Sequence, residues 1–426
     1  MMPKSKLLTF LLSLSVFCGI APSVMAQDTD KPKEELVWPN KESRANSDDW
    51  LRLHHAEIRQ MRPRILVLNF VNGLSEEEAR KKSEAVASVV RESSRYHGYA
   101  STKATPFLDP KIVKIVNLTD AVALPDDQRK EGNSSLYPRP DDWKEGQINF
   151  RYNVLFGADF AERYGYENTK EHGKFLNLSE LVAQGEVNEV WFLANQGSYG
   201  APFECTELKQ AYNAAGRKIE DKFVQAGNGG SEEQPHIGRS LRILFINSER
   251  GAGCAMESLG HAIEGTSNSE AIPYFTKYFR EYAGFDLKTR YKLPFDSFYG
   301  RNGIEFDYPT LGRLSYAVKG EVFGVGNYVP IGGNVHFTPS GRKDYDLDNK
   351  QEVFSTIEHY RLKDGEGGKD RAEKWTNAKF DRYRQTAPDC MGPWMVYWRQ
   401  NMPGLDNKAT DDTLRPMKNW WVFLYN

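Results

Sequence analysis

The sequence predicts an α/β fold: a mainly parallel sheet covered by helices, with an aromatic-rich, mostly irregular or β C-terminal region. Three observations point to it. Short apolar runs recur at 64–71 (RILVLNFV), 112–118, 190–193 (VWFL) and 241–247 (LRILFIN), as buried strands require. Helical patterns separate them, and strands apolar throughout belong to parallel sheets covered on both faces. Beyond about residue 285 the periodicity gives way to short segments rich in Gly, Pro and aromatic residues.

The chain begins with Lys4 and Lys6, an apolar run over 7–16 and small residues over 21–26. This is the pattern of a signal peptide cleaved near Ala26, so the expected location is secreted or periplasmic. The run is too short to span a bilayer. Phe17, bulky beside Cys18, argues against lipid attachment there. Residues 27–60, charged and carrying Pro32 and Pro39, read as a polar N-terminal linker.

Residues 61–285 form the expected α/β domain. Ser75 and Glu78 have capping-box spacing, and the helix they open runs to about Arg95 with Val86, Val89 and Val90 on one face. Further helices are expected at 152–164, 178–184, 254–264 and 272–282; in the last, Pro273 suits the first turn, and Phe275, Tyr278, Phe279 and Tyr282 recur at helical spacing. Polar residues gather at the strand ends (Asn69, Asn72, Asn195, Gln196, Asn247, Glu249, Arg250), where such sheets bind ligands and where turns also favour asparagine. Residues 286–426 are the aromatic-rich region packed on this domain.

The formal net charge of −2 becomes −4 once Lys4 and Lys6 leave with the signal, so no basic excess is available for nucleic acid. Cys205, Cys254 and Cys390 remain, enough for one disulfide whose pairing the sequence leaves open.

The segment most suggestive of chemistry is Glu257-Ser-Leu-Gly-His261-Ala-Ile-Glu264. On a helix these three side chains share a face. His261 and Glu264 are half of a zinc site, and His336, in a Gly-rich stretch, is the expected third ligand. Glu257 is then the catalytic base, or completes the coordination. His-x-x-Glu with a distant His is similar to the ligand pattern of zinc carboxypeptidases, over His261, Glu264 and His336 only. Because His261 lies well along the helix, the metal is expected beside the helix and not at a strand tip.

Asp344, Asp346 and Asp348 alternate as calcium ligands do, although Asn349 and Ser355 stand where the EF-hand loop wants Gly and Glu. Cys254, after Arg250-Gly-Ala-Gly, sits where a strand-to-helix turn can present a nucleophile. Glu305 and Asp307, two apart, share a strand face. Trp394, Tyr397, Trp398, Trp420 and Trp421 are core or a sugar-stacking platform, and 417–426 is expected as a strand burying Trp421, Phe423 and Tyr425 on one face.

Two function classes follow. The first is a secreted zinc hydrolase acting on a peptide, glycan or acyl-modified polymer. The second is a non-catalytic glycan-binding or envelope-associated protein stabilised by calcium.

Overall fold

The computed structural model describes residues 33–44, 47–71, 73–118, 152–195, 204–227, 234–301 and 303–426. The signal-peptide residues 1–26, Asn72 and Gln196 lie outside them.

From residue 33 the expected linker belongs to the fold. Strand β1 (Val37–Trp38) pairs in parallel with β2 (Gln60–Met61), and helix α1 (Ser47–Leu53) lies between them in the chain. Trp38, Trp50, Leu51 and Ile58 are buried, and the Trp38 indole donates to Ser47 Oγ at 3.0 Å. A few large apolar residues anchor a stretch whose average composition is polar.

The main sheet follows. After β3 (Arg64–Asn69) come α2 (Glu76–Ser93), β4 (Lys111–Asn117), α3 (Ala158–Tyr164), α4 (Leu178–Ala183), β5 (Glu189–Ala194), β6 (Cys205–Tyr212), β7 (Lys218–Gly227) and β8 (Leu241–Asn247). Their order is β4-β3-β5-β8-β6-β7. The first four strands are parallel, and β6 runs antiparallel to both β8 and β7. Both bonds of the Ser75–Glu78 capping box form. Leu66, Leu68, Val190, Phe192, Ile243 and Phe245 face α3 and α4, while Ile65, Val67, Trp191, Leu193, Leu244 and Ile246 face the larger core. Period 2 is thus present, with both faces apolar.

The antiparallel β6–β7 pair has no apolar run. Its buried strand carries Glu207, Lys209 and Gln210; Lys209 Nζ meets Glu207 Oε1 at 2.8 Å, and Gln210 Nε2 donates to the carbonyls of Ala211, Ile219 and Lys222. Pairing compensates much of their burial, although Glu207 Oε2 and Gln210 Oε1 keep no hydrogen-bond partner among the described residues.

Next come α5 (Ala252–Asn268), α6 (Pro273–Tyr282) and α7 (Leu287–Tyr291). The three-stranded antiparallel sheet β9 (Ile304–Thr310), β10 (Arg313–Val318) and β11 (Glu321–Gly326) follows, then the short pair β12 (Val353–Ser355) and β13 (Glu373–Trp375), then α8 (Gly392–Gln400). One cluster joins Trp38, α5, α6, Phe298, Phe306, Trp375, Trp394 and Tyr425. Residues on the two sides of 285 therefore share a core.

The chain's last segment corrects the expected strand. Trp420–Leu424 is a 3₁₀ helix, and every residue from Trp420 to Tyr425 is buried. Val422 and Leu424 are as apolar as the residues they separate, so no face has to turn to water. Tyr425 Oη donates to Glu189 Oε2 at 2.8 Å and its ring lies 5.3 Å from that of Trp38. Glu189 also pairs across the sheet with Arg242, Oε2 to Nη2 at 2.8 Å, and accepts from Trp191 Nε1. A buried ion pair is tolerable when further hydrogen bonds support it, as those from Trp191 and Tyr425 do for Glu189.

Removing residues 420–426 should abolish folding. Each large core aromatic lost costs about 3 to 5 kcal/mol, against a total stability of roughly 5 to 15 kcal/mol. The truncated chain is expected to be insoluble or rapidly proteolysed; melting like the full chain would refute this.

Asp48 gives a pH signature. Its Oδ2 accepts from Ser240 N at 2.9 Å and Oγ at 3.2 Å, and burial raises its pKa from 3.8 to about 6, against the lowering by the Ser240 bonds, Lys209 and Arg239. Between those values the folded state holds a proton that the unfolded chain has released, so this contribution is lost as pH rises from about 4 to about 6. The loss is on the order of 2 to 3 kcal/mol. Urea midpoints of Asp48→Asn should fall less over this window than those of the parent; parallel profiles would count against the assignment.

Candidate metal centre

Helix α5 presents Glu257, His261 and Glu264 along one side, and the segment 328–349 lies against that side. Close approach depends on two glycines. A Cβ at Gly260 would stand 2.6 Å from Val335 Cγ2 and 2.9 Å from Met395 Sδ. Gly333 has φ +63° and would meet the Phe337 carbonyl at 2.2 Å, so only glycine fits the turn before His336. Asn334 Oδ1 accepts from the backbone N–H of His336 and Phe337, and Trp394 and Trp398 donate their indole N–H to the carbonyls of Asn334 and Gly333.

This loop brings His336 to His261, with ring centroids 5.0 Å apart in an edge-to-face arrangement. Glu257, His261 and His336 each offer one donor atom within 4.8 Å of the others. His336 Nε2 lies 3.6 Å from Glu257 Oε1. Zinc bonds of about 2.0 to 2.1 Å at tetrahedral angles separate ligand atoms by roughly 3.3 Å, a spacing that Glu257 and His336 approach at 3.6 Å, with His261 within 4.8 Å of both.

The two glutamates stand in different settings. Glu264, expected as a ligand, is occupied elsewhere: it accepts from Val335 N and Tyr299 Oη at 2.9 Å each and faces His261 Nδ1 at 3.1 Å. It orients the imidazole and leaves Nε2 directed away. Glu257, expected as the base or as a further ligand, stands among the donors. On the other ring, Asp344 Oδ1 lies 3.6 Å from His336 Nδ1. Both histidines thus have a carboxylate behind them, as metal-ligating histidines commonly do.

Sequence reasoning missed three groups. Tyr345 donates to Glu257 Oε1 and lies 3.2 Å from His336 Nε2; its backbone is left-handed, φ +61°, a strained setting that aims the phenol inward. Tyr299 donates to Glu264. Glu204 Oε2, at the entry to β6, is 3.9 Å from His261 Nε2. Tyr345 lies inside the aspartate cluster, a hint the spacing of carboxylates obscured; nothing local marks Tyr299 or Glu204.

Charge at the centre is mutually balanced. Burial would raise the Glu257 pKa, but bonds from His336 and Tyr345 and the charge of the imidazoles outweigh it, leaving it below the usual carboxylate value. Burial would lower His261, yet Glu264, Glu204 and Glu257 raise it overall. Burial and the nearby carboxylates push Tyr299 and Tyr345 up, which keeps both phenols protonated as donors. The site opens to solvent: side chains of His261 and His336 are 14% and 19% exposed, and that of Glu204 is 38% exposed.

Other expected sites do not assemble. Asp346 is taken by Arg342, whose Nε lies at 3.0 Å; Asp344 turns to His336, and Asp348 is exposed beside Arg384. Their carboxylates form no common group among the described residues. Cys254 is bonded to Cys390, which removes it as a nucleophile, and Cys205 is buried outside that bridge. Asp389, beside that bridge, accepts from Gly251 N and Gly253 N at the start of α5. Glu305 and Asp307 lie on the exposed face of β9. Trp394, Tyr397, Trp398, Trp420 and Trp421 are buried and cannot stack on a sugar. Asn69 and Asn247 close their own strand ends by accepting from Val71 N and Glu249 N.

The glycines of α5 give a graded prediction. At Gly265 a Cβ would stand 2.2 Å from Gly227 N, a backbone atom that cannot rotate away, whereas at Gly260 the obstacles are side chains. Gly265→Ala should therefore lower the melting temperature more than Gly260→Ala, for which overpacking costs about 1 to 3 kcal/mol. The reverse order in thermal melts would contradict these contacts.

No family model, no curated protein and no solved structure matches this chain.

Proposed function

We propose that the protein is a zinc-dependent hydrolase, with Glu257, His261 and His336 as metal ligands, acting outside the cytoplasm on a peptide, glycan or acyl-modified polymer. The observation that carries this reading is the meeting of two imidazoles and a carboxylate from α5 and a distant loop, each imidazole backed by a carboxylate. Three protein ligands with a solvent-facing side are the pattern of catalytic zinc, where structural sites use four. When bound, the metal supplies Lewis acidity toward a carbonyl and lowers the pKa of water.

The residues of the chain have separate tasks. Glu264 and Asp344 fix the two rings with Nε2 toward the centre. Tyr345, protonated and partly exposed, can turn its hydroxyl from Glu257 to a reacting carbonyl oxygen and stabilise negative charge there. Glu204, on the Nε2 side of His261, is placed to take a proton from an attacking water and pass it to the leaving group. With Glu257 among the donors, Glu204 takes over the proton transfer first expected of Glu257.

Metal analysis of protein dialysed against zinc is expected to give one ion per chain, and His261→Ala, His336→Ala protein none. Glu264→Gln should keep the site but bind about 10- to 100-fold more weakly, the usual penalty for losing a partner behind a ligand. A well-folded parent protein that takes up no zinc would end this reading.

A further inference from the structure

The start of α5 holds a second cluster of metal-ligand side chains, which the proposed activity does not use. Cys254, Cys390 and Asp389 each offer a donor atom within 4.8 Å of the other two, and all three residues are half-buried, within reach of solvent. The two sulfurs are joined, with Cα atoms 5.1 Å apart.

The sulfur bond is not the only thing that holds this cluster together. The Asp389 carboxylate accepts from Gly251 N at 2.7 Å and Gly253 N at 2.9 Å, and so caps α5. Gly392 N donates to the Asp389 carbonyl at 3.0 Å. A Cβ at Gly392 would stand 2.6 Å from Gly253 Cα, so the beginnings of α5 and α8 touch through their backbones. Cys390 has φ +47°, a left-handed setting that a non-glycine residue keeps when its surroundings impose it. The hydrogen bonds and backbone contacts that set the two cysteines face to face involve neither sulfur.

Opening the bond takes two electrons and two protons: a dithiol donor is oxidised to its own disulfide while the protein pair becomes two thiols. Each thiol releases its proton as a metal ion binds, and the positive end of the α5 dipole, beside Cys254, favours the thiolate. Zinc–sulfur bonds of about 2.3 Å at tetrahedral angles place two sulfurs roughly 3.8 Å apart, which residues positioned for a disulfide reach by side-chain rotation.

We propose that the reduced pair, together with Asp389, is a binding site for a soft divalent ion, zinc foremost. The same residues then clamp α5 to α8 in two mutually exclusive ways, by a disulfide when oxidised and by a metal thiolate when reduced. Two thiolates and a carboxylate leave the fourth position to solvent. The site is independent of the histidine centre. On the reading that the chain is exported, it is made where thiols stay reduced and works where they oxidise, so it meets both conditions in turn.

Cobalt(II), which enters zinc sites, separates the two sets of ligands, because thiolate gives an intense near-ultraviolet charge-transfer band that imidazole and carboxylate do not. The full chain would be reduced with a phosphine, which takes one oxygen from water as the disulfide gains two hydrogens, and which does not compete for metal as a thiol would. The reduced chain should develop the band and bind one more cobalt than the oxidised chain. Cys254→Ser and Cys390→Ser should each lose the band, and Asp389→Asn should bind at least about tenfold more weakly. Burial pushes the Cys205 thiol up, so it is no source of the signal. Reduced protein in which Cys254 and Cys390 can be alkylated but which shows no band overturns the proposal. So does a reduced chain that loses its near-ultraviolet circular dichroism and does not regain it with cobalt, and so does a band that survives in Cys254→Ser. Cobalt uptake by the oxidised chain bears on the histidine centre alone, so the two readings fail separately.

Discussion

The buried carboxylate of Glu264 is the interaction on which the centre depends. Its side chain is 7% exposed, and its two oxygens accept from a backbone amide of the 333–337 loop and a phenol before β9, with an imidazole of its own helix facing them. An ionised group withdrawn from water persists only with such compensation. The same bonds join three chain segments that are far apart in sequence. Val335 is held at Glu264, and the next residue, His336, is thereby delivered to the face of α5. Position and charge are set by one group.

The sequence was most informative where a pattern had a single physical meaning. The mostly apolar runs at 64–69, 189–194 and 241–247 are strands because both sheet faces are covered, and Ser75 with Glu78 marks a helix start because the two residues exchange hydrogen bonds. It was silent where tertiary partners satisfy polar groups, as in β6, whose Glu207 and Lys209 are paired in the interior. It misled at residues 33–60, where a few tryptophans and aliphatics bury themselves in a charged segment, and at 420–424, where alternation had no polar counterpart.

The centre was legible to the same degree. Helical spacing places Glu257, His261 and Glu264 on one side of α5, and a Gly-rich segment suggests where a loop can come close. Which glutamate faces the two imidazoles is decided by where Val335 crosses the helix, and spacing carries no information about that. The strained backbone at Tyr345 is likewise a product of the assembled loop. Local sequence thus names the side chains, and long-range packing assigns their work.

The meeting of β1 with the 420–425 segment bears on how the protein is made. Trp38 packs on Tyr425, His55 bonds to the Asn419 carbonyl, and Glu189 in the middle of the sheet waits for the Tyr425 hydroxyl. A ribosome releases these partners in strict order, first to last. Until translation reaches residue 425, the Glu189–Arg242 pair lacks the Tyr425 hydroxyl and the Trp38 indole lacks its Tyr425 cover. The contacts that join the two ends of the chain can therefore close only after synthesis is nearly done, and a chain terminated early would leave sticky apolar surface, the kind that chaperones shelter.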